Sequence, residues 1–128
     1  MNKFATVIMA VAAATLLVTG CSKSDSSQIK VGFSQVGAES DWRKASTESI
    51  KGEAAKRSID LTFSDAQQKQ ENQIKAIRNF ISKGVDVISF SPVVATGFED
   101  VLKEAKEADI PVVLFDRAVD VSETAFRR

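Results

Sequence analysis

Two short stretches of the chain place charged, hydroxyl and aromatic side chains next to each other. The residues concerned are Glu39, Ser40, Asp41, Trp42 and Arg43, and then Asp116 and Arg117. A carboxylate can accept hydrogen bonds from two adjacent hydroxyls, and an arginine can donate to hydroxyl and ring oxygens. An indole packs its face on the C–H groups of a sugar ring. The chemistry that these residue types favour is the binding of a sugar.

Each stretch also has a purely structural interpretation. Ser40 and Asp41 are typical helix N-caps, and acidic side chains are favourable at the positive end of the helix dipole. Trp42 could be a core aromatic, and Asp116 with Arg117 could form a turn with a surface ion pair. Capping does not explain Arg43, because the helix N-terminus disfavours a cation in its first turn.

The composition excludes several other functions. The 128 residues contain no histidine and one cysteine. Without histidine, Ser–His catalysis, Cys–His catalysis and histidine-ligated metal sites are excluded. No phosphate-binding glycine motif occurs. The 17 basic and 17 acidic residues balance, so charge gives no reason to expect a nucleic acid partner. We expect a small or neutral ligand, without metal or cofactor.

The N-terminal segment is predicted to be an export signal. Residues 4–20, "FATVIMAVAAATLLVTG", are uncharged and mostly apolar, and they follow Lys3. The alternative is a membrane-spanning helix, although the run has the minimum length for one and no second such run occurs.

The apolar run ends in Val18-Thr19-Gly20-Cys21, which resembles a bacterial lipobox. The resemblance implies that residues 1–20 are a lipoprotein signal peptide and that Cys21 becomes the lipid-modified N-terminus. Two or three acyl chains hold a protein at a membrane, whereas one does so only marginally. The polar segment "SKSDSSQ" that follows predicts a flexible spacer over residues 21–28.

From residue 28 onward the hydrophobic pattern alternates between strands and helices. The predicted strands are 28–35, 59–64, 85–92 and 110–116, and the predicted helices are 41–57, 67–84 and 96–109. Continuous apolar strands between helices predict an α/β fold with a parallel sheet covered by helices on both faces, a three-layer αβα arrangement.

The helices carry more detailed signals. Apolar faces are predicted for Trp42, Ala45, Ile50 and Ala54, for Ile74, Ile77 and Ile81, and for Val101, Leu102 and Ala105. Gly84 predicts the end of the second helix. Thr96 and Glu99 have the spacing of a capping box, which predicts that the third helix starts there.

Ligands of open parallel sheets bind beyond the carboxyl ends of the strands, near the point where the strand order reverses. Polar residues follow all four predicted strands, in segments 34–43, 64–68 and 91–96 and at Asp116 and Arg117. The two stretches described first are therefore expected at the same edge of the sheet.

Three long segments resemble the ribose-type (class I) periplasmic sugar-binding proteins of ABC importers, most closely the galactofuranose-binding branch. The segments are "VGFSQVGAESDWRKA", "DAQQKQENQIKAIRNFISKGVDVISFSPVVATGF" and "VLKEAKEADIPVVLFDR". The family's first ligand loop corresponds to residues 39–43 and its Asp–Arg pair to residues 116–117. Ser91 corresponds to a position that in some members carries a hydrogen-bonding side chain. Asp41 departs from the resemblance, because the galactofuranose-binding member that the sequence resembles most has glycine there.

The resemblance implies that residues 29–128 are a partial N-terminal lobe of a type I periplasmic-binding-protein fold, an incomplete version of a bilobed protein. It implies a non-enzymatic, monomeric component that binds a galactofuranose-like monosaccharide and works with ABC permease and ATPase subunits. It also implies a location in the periplasm or on the outer face of the cell membrane, held there through Cys21.

Other functions use the same fold. A subunit that reports the ligand to a membrane receptor remains open, as does a truncated fragment that binds nothing. A sugar-responsive repressor would need a DNA-binding segment where the export signal lies. A phospho-acceptor domain would need acidic residues after the first and third strands, where Ser34-Gln35 and Ser91-Pro92 stand.

Overall fold

The computed structural model describes residues 28–122, which form alternating strands and helices as predicted. The elements are β1 (Lys30–Gln35), α1 (Asp41–Lys56), β2 (Asp60–Asp65), α2 (Gln70–Ser82), β3 (Val87–Phe90), α3 (Glu99–Glu107) and β4 (Val112–Leu114). The predicted signal peptide, nearly all of the predicted spacer, and Cys21 lie outside the described residues.

The four strands form one parallel sheet in the order β2-β1-β3-β4. β1 is central, because Val31 pairs with Leu61 of β2 on one side and with Val87 of β3 on the other. The chain moves outward from β1 to β2 and then crosses back over β1 to β3. The strand order therefore reverses between β1 and β3, and their carboxyl ends flank the expected ligand position.

Side chains of β1 alternate between the two faces of the sheet and show which helix covers each face. A Cβ atom added at Gly32 would lie against Phe80 of α2, and the amide of Gln73 in α2 donates to Ser34 at 3.5 Å. Gln35 instead donates to Thr47 of α1 at 3.3 Å. The helices α1 and α2 therefore lie on opposite faces, which confirms the α/β layers.

The main hydrophobic core lies between α2, α3 and the sheet. Among its buried residues are Ile77 and Phe80 from α2, Ile88 from β3, and Val101 and Leu102 from α3. The apolar faces predicted for α2 and α3 are thus confirmed, with Ile74 and Ile81 partly buried beside this core. Arg78 of α2 also pairs with Glu104 of α3 at 2.7 Å, and this hydrogen bond lowers the pKa of the Glu104 carboxyl.

The apolar face predicted for α1 is wrong for Trp42 and Ala45 and is confirmed for Ala54. Trp42 exposes 54% of its surface, and Ala45 is exposed as well. The buried residues of α1 are Arg43, Thr47 and Ala54, with Ile50 half-buried between them. Two of these three are polar because that face of α1 lies over the polar end of β1, where Gln35 provides hydrogen bonds.

The start of α3 also differs from the prediction. The N-cap position is Phe98, with no side-chain cap, so Thr96 and Glu99 form no capping box. Gly97 has a φ of +80° and Phe98 is fully buried, its ring centroid 5.3 Å from that of Phe90. Burial of the Phe98 ring fixes the chain entry to the helix, and Thr96 precedes that turn. At the end of α2, Gly84 has the positive φ of +61° expected for a C-terminal glycine.

The sheet is less completely covered than predicted on the α1 side. β4 is shorter than its predicted range, and Val113 in its middle exposes 51% of its surface. The neighbouring β4 residues Val112 and Leu114 pack on the α2–α3 core. The exposed side chain therefore belongs to the opposite face, which α1 does not cover near β4. No helix in the described segment is long and apolar enough to cross a membrane.

Candidate functional site

The carboxyl ends of β1, β3 and β4 and the start of α1 meet around the guanidinium of Arg43. Arg43 is 5% exposed, although it stands only two residues into a helix. Its Nη1 atom lies 2.9 Å from Asp116 Oδ2 and 3.3 Å from both Ser91 Oγ and Gln35 Oε1. One buried cation therefore connects three strand ends of the sheet.

Glu39 and Trp42 flank this buried guanidinium on the open side. Glu39 Oε1 accepts from Arg43 Nε at 3.3 Å, and its side chain is one-third exposed. The Trp42 ring centroid lies 4.9 Å from Arg43 Cζ, within the range of a cation–π contact. Because Trp42 exposes 54% of its surface, it is not a core aromatic, and its ring is available as an apolar platform.

Asp116 joins the cluster from the end of β4. Its carboxylate accepts from Ser91 Oγ at 3.3 Å as well as from Arg43, and its side chain is 30% exposed. Its φ is +66°, the left-handed region that aspartate tolerates better than most residues. This backbone turn directs Asp116 back toward Arg43, so a simple surface ion pair with the adjacent arginine does not describe it.

Arg117 lies at the edge of the same cluster. Its Nη1 donates to the carbonyl of Val93 at 3.2 Å, and its Nε is 3.9 Å from Asp116 Oδ2. The side chain is about half exposed, so its remaining donors can reach a ligand. Together, Glu39, Arg43, Asp116 and Arg117 carry two negative and two positive charges, which suits a neutral ligand with many hydroxyls.

Ser40 and Asp41 have structural roles in the described residues. The Ser40 hydroxyl accepts from the Arg43 backbone N–H at 3.2 Å and caps α1. The Asp41 side chain is fully exposed and pairs with Lys44 at 3.4 Å. The structure therefore brings Glu39, Trp42, Arg43, Ser91, Asp116 and Arg117 together, with the exposed Ser40 next to Arg43 as the helix cap. Asp41 lies outside the cluster.

Three buried polar residues of the cluster were missed by sequence reasoning. Gln35 binds Arg43, Thr47 accepts from Gln35, and Gln73 binds the backbone after β3. Gln73 had a detectable signal, because it occupies the apolar face of α2 at the spacing of Ala76, Ile77 and Phe80. Among residues 28–122, no three histidine, cysteine, aspartate or glutamate side chains lie together in a way that could hold a metal ion.

Comparison with known protein families gives the deciding observation. The model of the periplasmic binding protein domain matches residues 31–126. The chain belongs to the periplasmic binding protein family. The resemblance inferred from the sequence is confirmed, and the carboxyl-end cluster lies where open parallel sheets of this kind bind ligands.

Individual relatives of this periplasmic binding protein agree with the assignment. It is 62% identical over 95 residues to the galactofuranose-binding protein YtfQ of Escherichia coli (strain K12), covering 74% of this chain and 30% of the relative. A solved arabinose-transporter component from Shewanella sp. ANA-3, bound to α- and β-L-arabinofuranose, has a TM-score of 0.74 at 60% identity, covering 76% of this chain and 32% of that one.

A third match is a solved protein from Mycobacterium smegmatis in complex with β-D-fucofuranose. The TM-score is 0.75 at 56% identity, and the match covers 77% of this chain and 33% of that one. The chain therefore spans about a third of the length of the periplasmic binding proteins it matches, at 30%, 32% and 33% of the three relatives.

Proposed function

We propose that the chain provides one wall of the sugar-binding cleft in the substrate-binding component of an ABC importer. The observation that carries this proposal is the buried Arg43 guanidinium, which joins Gln35, Ser91 and Asp116 at the strand-order reversal. A buried cation held by several acceptors costs desolvation energy that core packing alone does not require. Parallel sheets of this kind bind ligands at this edge, which supports the proposal.

The proposed ligand is a monosaccharide in its furanose form. The names of the three relatives refer to galactofuranose, arabinofuranose and fucofuranose, all five-membered ring sugars. Asp116 and Glu39 would accept from sugar hydroxyls, Arg43 and Arg117 would donate to sugar oxygens, and the Trp42 face would pack on C–H groups. Ser40 would add a hydroxyl near the ring, and Asp41 would contact the ligand only from the rim. The fully buried Ser91 would act through Arg43 and Asp116, which its hydroxyl contacts.

We expect the mature chain, residues 21–128, to bind a furanose weakly. A small-molecule site buries about 70 to 90% of its ligand, and the described residues provide one wall. If a complete cleft contributes about −8 kcal/mol, half of it leaves about −4 kcal/mol, or a millimolar dissociation constant. Titration with methyl galactofuranoside, followed in proton–nitrogen correlation spectra, should shift the backbone amides of residues 39–43 and 116–117.

The matched control ligand is methyl galactopyranoside, which has the same hydroxyl count on a six-membered ring. We expect smaller shifts at the same amides. A micromolar dissociation constant for the furanoside would contradict the single-wall proposal, and shifts confined to other parts of the sheet would contradict the assignment of the site.

The proposed cellular setting is the periplasm or the outer face of the cell membrane. There the whole protein would act as a monomer that delivers sugar to permease and ATPase subunits. Lipid attachment at Cys21 would tether it, and the polar residues after Cys21 would separate the lobe from the bilayer.

The proposed lipid attachment at Cys21 can be tested in cells that are fed a labelled fatty acid. The label should appear on the chain and disappear in Cys21→Ala, and the variant should move from the membrane fraction to the soluble fraction. Ser24→Ala is the matched control, because it changes the spacer without removing the thiol. An unlabelled chain, or a Cys21→Ala variant that remains equally membrane-bound, would rule out the anchor.

A further inference from the structure

Gln73 of α2 is a fully buried amide that contacts two strand ends of the sheet. Its Nε2 atom donates to the backbone carbonyl of Ser91 at 2.8 Å and lies 3.5 Å from Ser34 Oγ. Its Oε1 atom accepts from the backbone N–H of Val93 at 2.9 Å. One side chain on the helix thereby holds the backbone on both sides of Pro92.

These hydrogen bonds require an amide of this length. A carboxamide presents one acceptor and two donors in a fixed plane, and here the acceptor and a donor each bind a backbone group of the same loop. A carboxylate has no donor for the Ser91 carbonyl, and an apolar side chain would leave two backbone groups without their partner. Buried backbone groups without partners are costly, so the loop conformation depends on this side chain.

The two residues held by Gln73 are themselves linked to the ligand groups. Ser91 Oγ lies between Arg43 Nη1 and Asp116 Oδ2, at 3.3 Å from each. The Val93 carbonyl accepts from Arg117 Nη1 at 3.2 Å. The loop after β3 is therefore a bridge between an α2 glutamine that a ligand cannot reach and three charged groups at the open edge.

We propose that Gln73 is a positioning residue of the sugar cleft, which acts by fixing the Ser91–Val93 backbone. This proposal rests on the proposed sugar-binding function. Gln73 holds Ser91 so that its hydroxyl supports the Arg43–Asp116 pair, and holds Val93 so that its carbonyl orients Arg117. Gln73 itself does not contact the sugar.

The test compares Gln73→Met with two matched controls in the mature chain. Methionine keeps the length and burial of the side chain and removes the amide. Gln70→Met removes the other α2 glutamine that reaches this loop, where it binds the Thr96 carbonyl away from the charged groups. Ile77→Val removes one methyl group from the fully buried core beneath the same helix, so it lowers stability without touching the loop.

We expect Gln73→Met to raise the dissociation constant for methyl galactofuranoside at least about fivefold, since two loop hydrogen bonds are lost. Both controls should stay within about twofold of the unaltered chain. The Val93 amide and Arg43 Nε–H resonances should move in Gln73→Met and not in Ile77→Val. If Gln73 only stabilises the fold, the sugar affinity of the three variants should decrease in proportion to their loss of stability. That result would overturn the proposal.

Two further outcomes separate this proposal from the sugar-binding function. If the unaltered chain binds no furanoside while the Val93 and Arg43 resonances move in Gln73→Met, the positioning role stands and the sugar-binding function fails. If Gln73→Met does not fold, hydrogen exchange of the Val93 N–H in the unaltered chain decides. Slow exchange is expected, and exchange as fast as that of exposed loop amides would overturn the role of Gln73.

Discussion

Asp116→Ala is expected to lower the free energy of unfolding by about 2 to 3 kcal/mol and to abolish sugar binding. The Asp116 carboxylate lies 2.9 Å from the Nη1 atom of Arg43, whose side chain is only 6% exposed. Removing one partner of a buried ion pair typically costs about 3 to 5 kcal/mol, because the other charge stays buried. Two facts reduce that value here: Asp116 is partly exposed, and Glu39 remains as a second carboxylate on Arg43.

Sugar binding should be lost for two reasons. The variant removes the carboxylate proposed to accept from the sugar hydroxyls, and it releases Arg43 and Ser91 from their shared partner. Chemical denaturation of the mature chain measures the loss of stability, and the methyl galactofuranoside titration measures the loss of sugar binding. Asp116→Asn should have a stability and a sugar affinity between those of the unaltered chain and those of Asp116→Ala, since it keeps one acceptor oxygen and loses the charge.

Glu104→Ala is the matched control for this prediction. Glu104 also pairs with an arginine on another element, Arg78 at 2.7 Å, but both side chains are far more exposed than Arg43. Exposed pairs contribute little because water screens them. An Asp116→Ala variant no less stable than Glu104→Ala would mean that Arg43 finds adequate partners elsewhere, and the role of Asp116 in the cluster would be wrong.

Element type and order could be predicted because periodicity is a local property of the sequence. In α2 and α3 the apolar spacing directly reflects packing on the sheet, and the structure buries Ile77, Val101 and Leu102 as predicted. The strand pattern also placed Asp116 at the same edge of the sheet as residues 39–43, and the family resemblance added the expectation that both stretches contact a ligand. Residues 43 and 116 are far apart in the chain, and only the fold brings them into contact.

The orientation of α1 could not be predicted, because hydrophobicity placed Trp42 on the apolar face of the helix and gave no reason to bury Arg43. In the structure Arg43 is buried and Trp42 is exposed. An arginine is buried when several acceptors from distant elements converge on it, and here they come from β1, the residue after β3 and Asp116. Residues that form a site depart from the hydrophobic pattern for this reason.

The start of α3 shows a second limit of prediction from the sequence pattern. Thr96 and Glu99 have the correct capping-box spacing, yet the fully buried ring of Phe98 determines where the helix begins. Tertiary burial of a phenyl ring outweighs a cap worth about 1 kcal/mol. Ser40 keeps its predicted cap on α1 because no such competing residue stands between it and the first turn.

Gly32→Ala is expected to lower the free energy of unfolding by about 2 to 3 kcal/mol. Gly32 lies in β1, the central strand, directly beneath Phe80 of α2. A Cβ atom at this position would come within 2.8 Å of the Phe80 Cβ and closer still to two of its ring atoms. Rotating the ring cannot relieve a conflict with the Cβ atom, so α2 must move away from the sheet. Overpacking of this kind costs about 1 to 3 kcal/mol, and the rigid neighbours place it at the upper end.

Gly52→Ala is the matched control, and its effect should have the opposite sign. Gly52 lies inside α1, and an added Cβ atom would meet nothing within 4 Å. Alanine in a helix interior stabilises by about 0.5 to 1 kcal/mol relative to glycine, and the space around Gly52 accommodates the methyl group. Denaturation curves of the two variants should therefore shift in opposite directions from that of the unaltered chain, and equal shifts would contradict the close packing of Phe80 on Gly32.

Gly32→Ala should also weaken sugar binding, although Gly32 is not among the proposed ligand contacts. Phe80 and Gln73 lie on the same face of α2, and Gln73 holds the Ser91–Val93 backbone through bonds of 2.8 and 2.9 Å. A helix displaced outward by Gly32→Ala would lengthen those bonds. We therefore expect the Val93 amide resonance to move in Gly32→Ala as it does in Gln73→Met, and to stay in place in Gly52→Ala. If Gly32→Ala is destabilised but its Val93 resonance does not move, the displacement of α2 is confined to the part of the helix near Phe80.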